Sequence, residues 1–292
     1  MWKTVEENIS RAIGSVFVAL QRRPVSGGSV SEAYMLCDGD QCFFVKVNPV
    51  GQEAVLATEV RGLEELRKAK AFRVPNFVCL GEASGSAFLV LEFLALRPVR
   101  ISDEEAFAES LFHLHSYRGT GGFGFGEDNF IALSKQSNRA SLSWSHFWVE
   151  ERLKPQALKA RHLSEDLYLK VMEVCDSIDF YFQAYDVKPS LLHGDLWAGN
   201  VAVVGDELSV FDPSVYYGDC EADLAMTELM GGFSKRFYER YKSLAEIDEE
   251  GYATRKDLYN LYHVLNHLNL FGLSYSVEAL SLTERLLAKR CV

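Results

Sequence analysis

The chain reads as two regions that differ in the period of their apolar residues. Over residues 1–93, short apolar runs are punctuated by Gly, Asp and Ser. Val16–Val25, Glu32–Cys37, Cys42–Val47, Asn76–Leu80 and Ala87–Phe93 read as strands, with Asp38-Gly39 and Gly85-Ser86 as turns. Between them, Gln52–Lys70 carries Val55, Val60, Leu63 and Leu66 among charges, a helical pattern. Ahead of the first strand, Thr4 with Glu7 three residues on predicts a capping box and a short helix. Consecutive strands joined by short turns predict an antiparallel sheet. From Ser102 onward the pattern turns helical: Ser102 and Glu105 form a second capping box before Ala106–His115. Helices are then expected at Trp144–Ala160, Glu165–Tyr185, Glu221–Met230, Leu258–Phe271 and Val277–Lys289. Ser190–Asp212 is the exception and reads as short strands and loops. The expected class is α+β in two lobes, 1–93 with the sheet and one long helix, and 94–292 mostly helical.

At 292 residues, 48% apolar and 24% charged, the chain has enough apolar material for packed cores, and disorder is excluded. The 41 acidic against 30 basic residues give a net charge of -11, which repels a phosphate backbone and argues against nucleic acid as a partner. Apolar runs such as Ala87–Leu91 are strand-sized, so no membrane span is expected. The start Met1-Trp2-Lys3-Thr4-Val5-Glu6-Glu7 has no signal core, and the cytoplasm is the expected compartment. None of the six cysteines forms a C-x-x-C pair. Cys37 and Cys42 could face each other across a hairpin, and in a reducing cytosol they are expected as free thiols.

The chemistry concentrates in His193-Gly194-Asp195-Leu196-Trp197-Ala198-Gly199-Asn200, followed by Phe211-Asp212-Pro213. Phosphoryl transfer needs a base for the attacking hydroxyl and oxygen ligands for magnesium. An Asp with an Asn five residues later supplies both from one loop, with the spacing of the protein-kinase catalytic loop. Asp212, after the next hairpin, supplies a second metal contact. The competing reading is a polar loop in which Asp195 and Asn200 only make turns.

Kinases of that architecture also need a lysine on the third strand, and Phe43-Phe44-Val45-Lys46-Val47 provides one. A lysine buried there requires an anion; on an edge strand it would simply face water. Its carboxylate partner belongs on the following helix, where Glu53, Glu59, Glu64 and Glu65 compete and Glu59 lies mid-helix. Gly27 and Gly28 sit upstream between two strands, where a backbone can close over phosphates.

Leu192–Asn200, with a tryptophan directly after Asp195-Leu196, resembles the signature of the fructosamine/ketosamine 3-kinases, relatives of aminoglycoside phosphotransferases and choline kinases. The resemblance extends through Gly122-Phe123-Gly124-Phe125, Asn129, Gln136, Asn138, Arg152-Leu153-Lys154-Pro155-Gln156, Phe211–Met226 and Leu261–Asn269. It implies a bilobal protein-kinase-like fold that uses ATP and Mg2+. Asp195 would be the base, Asn200 and Asp212 the metal ligands, and Lys46 with Glu59 the activating ion pair. The backbone of Glu92, Phe93 and Leu94 would meet adenine. The implied substrate is a ketosamine, free or protein-bound, phosphorylated at its 3-hydroxyl in a deglycation role, with other small alcohols as the alternative acceptors. A monomer or weak dimer is expected. Many eukaryotic members carry a cysteine after the paired glycines, where this chain has Ser29, and Leu273-Ser274 replaces a glycine-rich stretch.

Trp197 either packs on the sugar or wedges the catalytic loop. His263 and His267 are spaced for a metal pair, but kinase chemistry needs no zinc; they are expected to be structural or substrate-facing, with His267 lining the sugar pocket. His113 and His115 are expected to end a helix, His193 to brace the catalytic loop, and Trp144, Phe147 and Trp148 to lie in the core.

Overall fold

The computed structural model describes residues 1–25, 31–183 and 185–290, so Gly27, Gly28, Ser29 and Cys291 lie outside the described residues. The chain forms two compact units, Met1–Pro98 with Gly199–Asp212, and Val99–Ala198 with Pro213–Val292. The sequence pattern gave one boundary at 93/94; it did not show a later hairpin packing with the first unit.

In the first unit, α1 (Trp2–Ile13) and α2 (Glu53–Ala69) accompany strands β1 (Gln21–Pro24), β2 (Glu32–Cys37), β3 (Cys42–Pro49), β4 (Phe77–Ala83) and β5 (Ser86–Glu92). The sheet order is β1-β2-β3-β5-β4, antiparallel throughout. Period-two alternation sends Phe43, Val45 and Val47 of β3 into one core with Val5 and Ile9 of α1. Lys46 therefore points to the other face. There α2 buries Leu56, Val60, Leu63 and Leu66, a helical stripe in which each side chain contributes roughly 1.5–3 kcal/mol by burial. The hairpin of β9 (Val201–Val204) and β10 (Glu207–Val210) joins this unit through main-chain bonds, Arg73 N–H to Leu208 O (2.8 Å) and Arg97 N–H to Val203 O (2.9 Å).

The second unit runs α3 (Glu104–Ser116), β6 (Asn129–Ile131), β7 (Ser134–Gln136), α4 (Trp144–Trp148), α5 (Lys154–Ala160), α6 (Glu165–Asp176), β8 (Ser190–Leu192), β11 (Tyr216–Gly218), α7 (Cys220–Leu229), α8 (Lys235–Ala245), α9 (Glu249–Phe271) and α10 (Ser276–Lys289). Its core gathers Trp144, Phe147 and Trp148 with Tyr259, Leu261 and Leu265 of α9. No helix among the described residues is long and apolar enough to cross a membrane.

Several expectations need correction. Only Gln21–Pro24 of Val16–Val25 pairs as a strand: Phe17 turns into the core, its N–H held by Ser10 Oγ at 2.9 Å, and leaves Val16, Val18 and Leu20 exposed. Neither capping box forms where expected. The first helix already begins at Trp2, with Thr4 inside its first turn. In place of the second box, the Arg100 N–H donates to Asp103 Oδ2 at 2.8 Å and the Asp103 N–H to the Arg100 carbonyl at 2.8 Å. Trp144–Ala160 is broken by one π-helical turn at Val149–Leu153, and Glu165–Tyr185 stops as a helix at Asp176. The expected free thiols Cys37 and Cys42 are paired in a disulfide. They are direct cross-strand partners in the β2–β3 ladder, with Cα atoms 4.2 Å apart.

Burial pushes the Cys79 thiol up to about 11 and the Cys175 thiol up to about 12, so both are poor nucleophiles in the folded chain. Native, unreduced protein treated with iodoacetamide near neutral pH is expected to leave Cys37, Cys42, Cys79 and Cys175 unlabelled in peptide maps. Cys42→Ser is expected to cost no more than about 2 kcal/mol of stability, because the loop it closes is short and the ladder already closes it. Labelling of Cys37 as fast as a small-molecule thiol would show that the bond is absent.

Candidate active site

In the first unit, the side chains with chemistry meet at Lys46. Its residue is 7% exposed, and its ammonium donates to Glu59 Oε1 at 2.7 Å and to Asp212 Oδ1. Glu59 reaches it because it shares the α2 stripe with Leu56 and Leu63. Its competitors are engaged elsewhere: Glu53 accepts the Gly51 N–H at 2.8 Å, Glu65 pairs with Lys68 at 2.7 Å, and Glu64 is exposed. Burial alone would lower the Lys46 ammonium, but the Asp212 and Glu59 carboxylates outweigh it and hold it above its ordinary value. Burial pushes the Glu59 carboxyl up to about 6 against the pull of Lys46.

Asp212 ends the β9–β10 hairpin in the left-handed region, with φ 57°. A non-glycine residue held there stores conformational cost of order 1–3 kcal/mol. Asn200 is buried at the start of the same hairpin, and its carbonyl accepts the Phe211 N–H at 3.2 Å. Glu92 ties its carboxylate to Arg73 and to Asn76 Nδ2 (2.8 Å), and its N–H donates to the Asn76 carbonyl (2.8 Å).

In the second unit, Asp195 sits in a loop braced from both sides. Its N–H donates to His193 Nδ1 at 3.3 Å, so His193 serves the loop as a hydrogen-bond acceptor. Asp223, 1% exposed, accepts the main-chain N–H groups of His193 (2.7 Å) and Gly194 (2.9 Å). It also faces His115 Nε2 at 3.2 Å, and His115 Nδ1 meets Tyr241 Oη at 2.5 Å. Burial would raise the Asp223 carboxyl, yet bonding to His115 and Gly194 holds it below the usual range. Gly194, at φ 83°, lies against the Ser214 carbonyl where a Cβ would collide. The sequence reading assigned no role to Asp223 or Tyr241. For Asp223 the signal was present as a single acidic residue inside the apolar run Ala222–Met226 of α7.

Trp197 is half-buried and stacks on no other ring among the described residues. His267 packs at 5.1 Å from the Tyr275 ring and 5.8 Å from Phe271. His263 is buried inside α9 against Tyr262 at 5.1 Å. Among the described residues no cluster of three or more His, Cys, Asp or Glu is placed to hold a metal. His115 lies in the last turn of α3 as a satisfied polar group, as expected, and through Tyr241 and Asp223 it is also a link in the brace. His113 in the same turn is exposed.

Residues 1–289 match the fructosamine kinase family. A probable ketoamine kinase of Synechocystis sp. is 39% identical over 287 residues, covering 98% of this chain and 97% of that one. A crystal structure of a candidate fructosamine-3-kinase from Haemophilus somnus 129PT superposes with a TM-score of 0.89 at 28% identity, covering 98% of both chains. An aminoglycoside phosphotransferase solved with AMP-PNP and hygromycin B has a TM-score of 0.63 at 15% identity over 98% of this chain and 97% of that one, a likeness of fold alone.

Burial, then the charge of His267, pushes the His263 imidazole down to about 3. The unfolded chain binds this proton below its ordinary value near 6.5 and the folded chain does not, so stability is lost as pH falls through that window. Between pH 7 and 5 the loss from this residue is expected to be about 2 kcal/mol. Urea unfolding of His263→Phe should show a shallower acid slope than wild type; parallel slopes would contradict a neutral buried imidazole.

Proposed function

The chain belongs to the fructosamine kinase family, and from that membership we propose that it transfers the γ-phosphate of ATP, with Mg2+, to the 3-hydroxyl of a ketosamine. The observation that supports this reading most is Lys46, a buried ammonium held by Glu59 on one side and Asp212 on the other. A structural lysine needs one anion. A phosphate-binding lysine needs one to orient it and a second that can turn to a metal when phosphate arrives.

Asn200 and Asp212 together offer two oxygen donors rather than a closed cage. That fits an ion which keeps most of its other ligands from phosphates and water. Asn200 and Asp212 would hold a magnesium ion, which would offset the charge of the phosphates. Lys46 holds a phosphate oxygen, with Glu59 fixing its direction. The main chain of Glu92, Phe93 and Leu94 would meet adenine. Asp195 accepts the proton of the attacking 3-hydroxyl. Its loop is already fixed by Asp223 and His193, so little reorganisation is left for the moment of transfer. Trp197 offers a flat apolar face to the sugar, and His267, whose imidazole burial pushes below its ordinary value, lines the same pocket. The phosphorylated adduct is prone to elimination and releases its amine, a deglycation role. We place the chain in the cytoplasm as a monomer or weak dimer.

Two results are expected. ATP consumption measured against ribulose-, fructose- and erythrulose-lysine, with mass spectrometry of the product, should show a phosphorylated adduct. Asp195→Asn should keep ATP binding while turnover falls by about 10²-fold or more. Turnover only with aminoglycosides or amino alcohols would move the acceptor elsewhere, and near wild-type rates in the mutant would remove Asp195 as the base.

Trp197→Ala should raise KM for the ketosamine several-fold and leave the thermal midpoint and KM for ATP near wild type. Loss of stability with both substrates weakened together would make Trp197 a wedge for the loop.

A further inference from the structure

Arg152 is a buried cation without an anion. It is 0% exposed and makes no ion pair among the described residues; of the neighbouring Glu151 carboxylate, Oε1 accepts from Arg139 at 2.8 Å. Its guanidinium is held by neutral groups instead: the carbonyls of Ser137 (2.6 Å) and Glu151 (3.0 Å), Asn138 Oδ1 (2.8 Å), and the faces of Tyr216 (4.0 Å) and Phe147 (4.7 Å). Burying a charge on such terms is costly. The residue also sits in the π-helical turn Val149–Leu153 that interrupts the helix, a feature that concentrates at functional positions.

What Arg152 touches leads to the catalytic loop. Asn138 Nδ2 donates to Asn129 Oδ1 (2.9 Å), and Asn129 Nδ2 donates to the Val215 carbonyl (2.7 Å). Gln136 Nε2 donates to Asn129 Oδ1 (2.8 Å) and to the Ser214 carbonyl (3.1 Å), while Gln136 Oε1 accepts from Tyr262 Oη (2.7 Å). Ser214 in turn gives its N–H to the His193 carbonyl at 2.8 Å, and its own carbonyl is the surface on which Gly194 rests.

Every side chain between Arg152 and Ser214 is an amide, and an amide can turn end for end. A guanidinium cannot: it has donors only. With Arg152 donating, Asn138 must present its oxygen to it and its nitrogen to Asn129. Asn129 must then accept there and donate to Val215, and the amide nitrogen of Gln136 is directed to Ser214. We propose that Arg152 is a positioning residue that, acting in the same sense as the Glu127 carbonyl on Asn138 Nδ2 (3.1 Å), holds the direction of this amide chain, and through Ser214 fixes the His193-Gly194-Asp195 turn in register for phosphoryl transfer. The inference rests on the reading of Asp195 as the base.

A register fault in the base should let activated ATP be lost to water, so the readout is ATP hydrolysed per adduct phosphorylated. That ratio does not change when part of a preparation is merely unfolded. Arg152→Lys is still a pure donor and should keep the ratio near wild type. Arg152→Gln can accept as well as donate, and should raise it severalfold with KM for ATP unchanged. Asn138→Asp gives Arg152 an anion but removes the donor to Asn129 Oδ1 and to the Glu127 carbonyl. Measured on its folded fraction, it should lose roughly tenfold to a hundredfold in kcat. Equal ratios in Arg152→Lys and Arg152→Gln, or an Asn138→Asp enzyme within twofold of wild type, would overturn the role of Arg152. Full activity of Asp195→Asn would instead remove the reading beneath it, so the two failures are distinct.

Discussion

A buried ammonium cannot stand without anions, and much of the first unit follows from meeting that constraint at Lys46. Alternation along β3 puts Lys46 on the face opposite the Phe43, Val45 and Val47 core. That orientation would be prohibitive if α2 presented only leucine and valine there. Glu59 interrupts the apolar stripe at the one place where the ammonium arrives, and Asp212 is brought to the same point by a hairpin far along the chain. The hairpin is anchored by main-chain bonds at Arg73 and Arg97, so the carboxylate is delivered by backbone geometry rather than by a flexible side chain. The left-handed conformation of Asp212 is one cost of that delivery.

The second unit meets the same electrostatic demand with a different chemistry. Asp223 is as buried as any residue of α7, but its charge is met by two main-chain N–H groups and a histidine. Arg152 is met by carbonyls, an amide and ring faces. Directional donors such as these are positional devices as well as neutralising ones, because moving the partner by an ångström forfeits the bond. The Asp195 turn therefore inherits its geometry from two sides, α7 through Asp223 and the β6–β7 hairpin through Ser214.

What could be read in the sequence was what depends on near neighbours. The β2–β3 hairpin, α2 and the order of sheet then helices follow from short-range patterns, and β2 begins and ends where the pattern puts it. Lys46 was legible because a lone lysine in an apolar strand is conspicuous. Its partner was legible only through family resemblance, since four glutamates share that helix. Helix α8 went unread because only Phe237 and Tyr241 of it are buried, too few to set a period. The π turn at Arg152 was invisible, because one extra residue in a turn looks the same as a regular helix to a 3.6-residue template. The brace from Asp223 joins residues thirty apart through the main chain of His193, which leaves no trace in side-chain spacing.

The way the β9–β10 hairpin belongs to the first unit also bears on synthesis at the ribosome. A nascent chain that has reached Pro98 has made every strand of the five-stranded sheet, yet its share of contacts from Gly199–Asp212 does not yet exist. Until those residues emerge, the main-chain groups at Arg73 and Arg97 have no strand to bond, and Lys46 has Glu59 but lacks its second carboxylate. The amino-terminal part of the protein thus stays unfinished while all of Val99–Ala198 is translated, and its completion is timed by the arrival of the segment that carries Asn200 and Asp212.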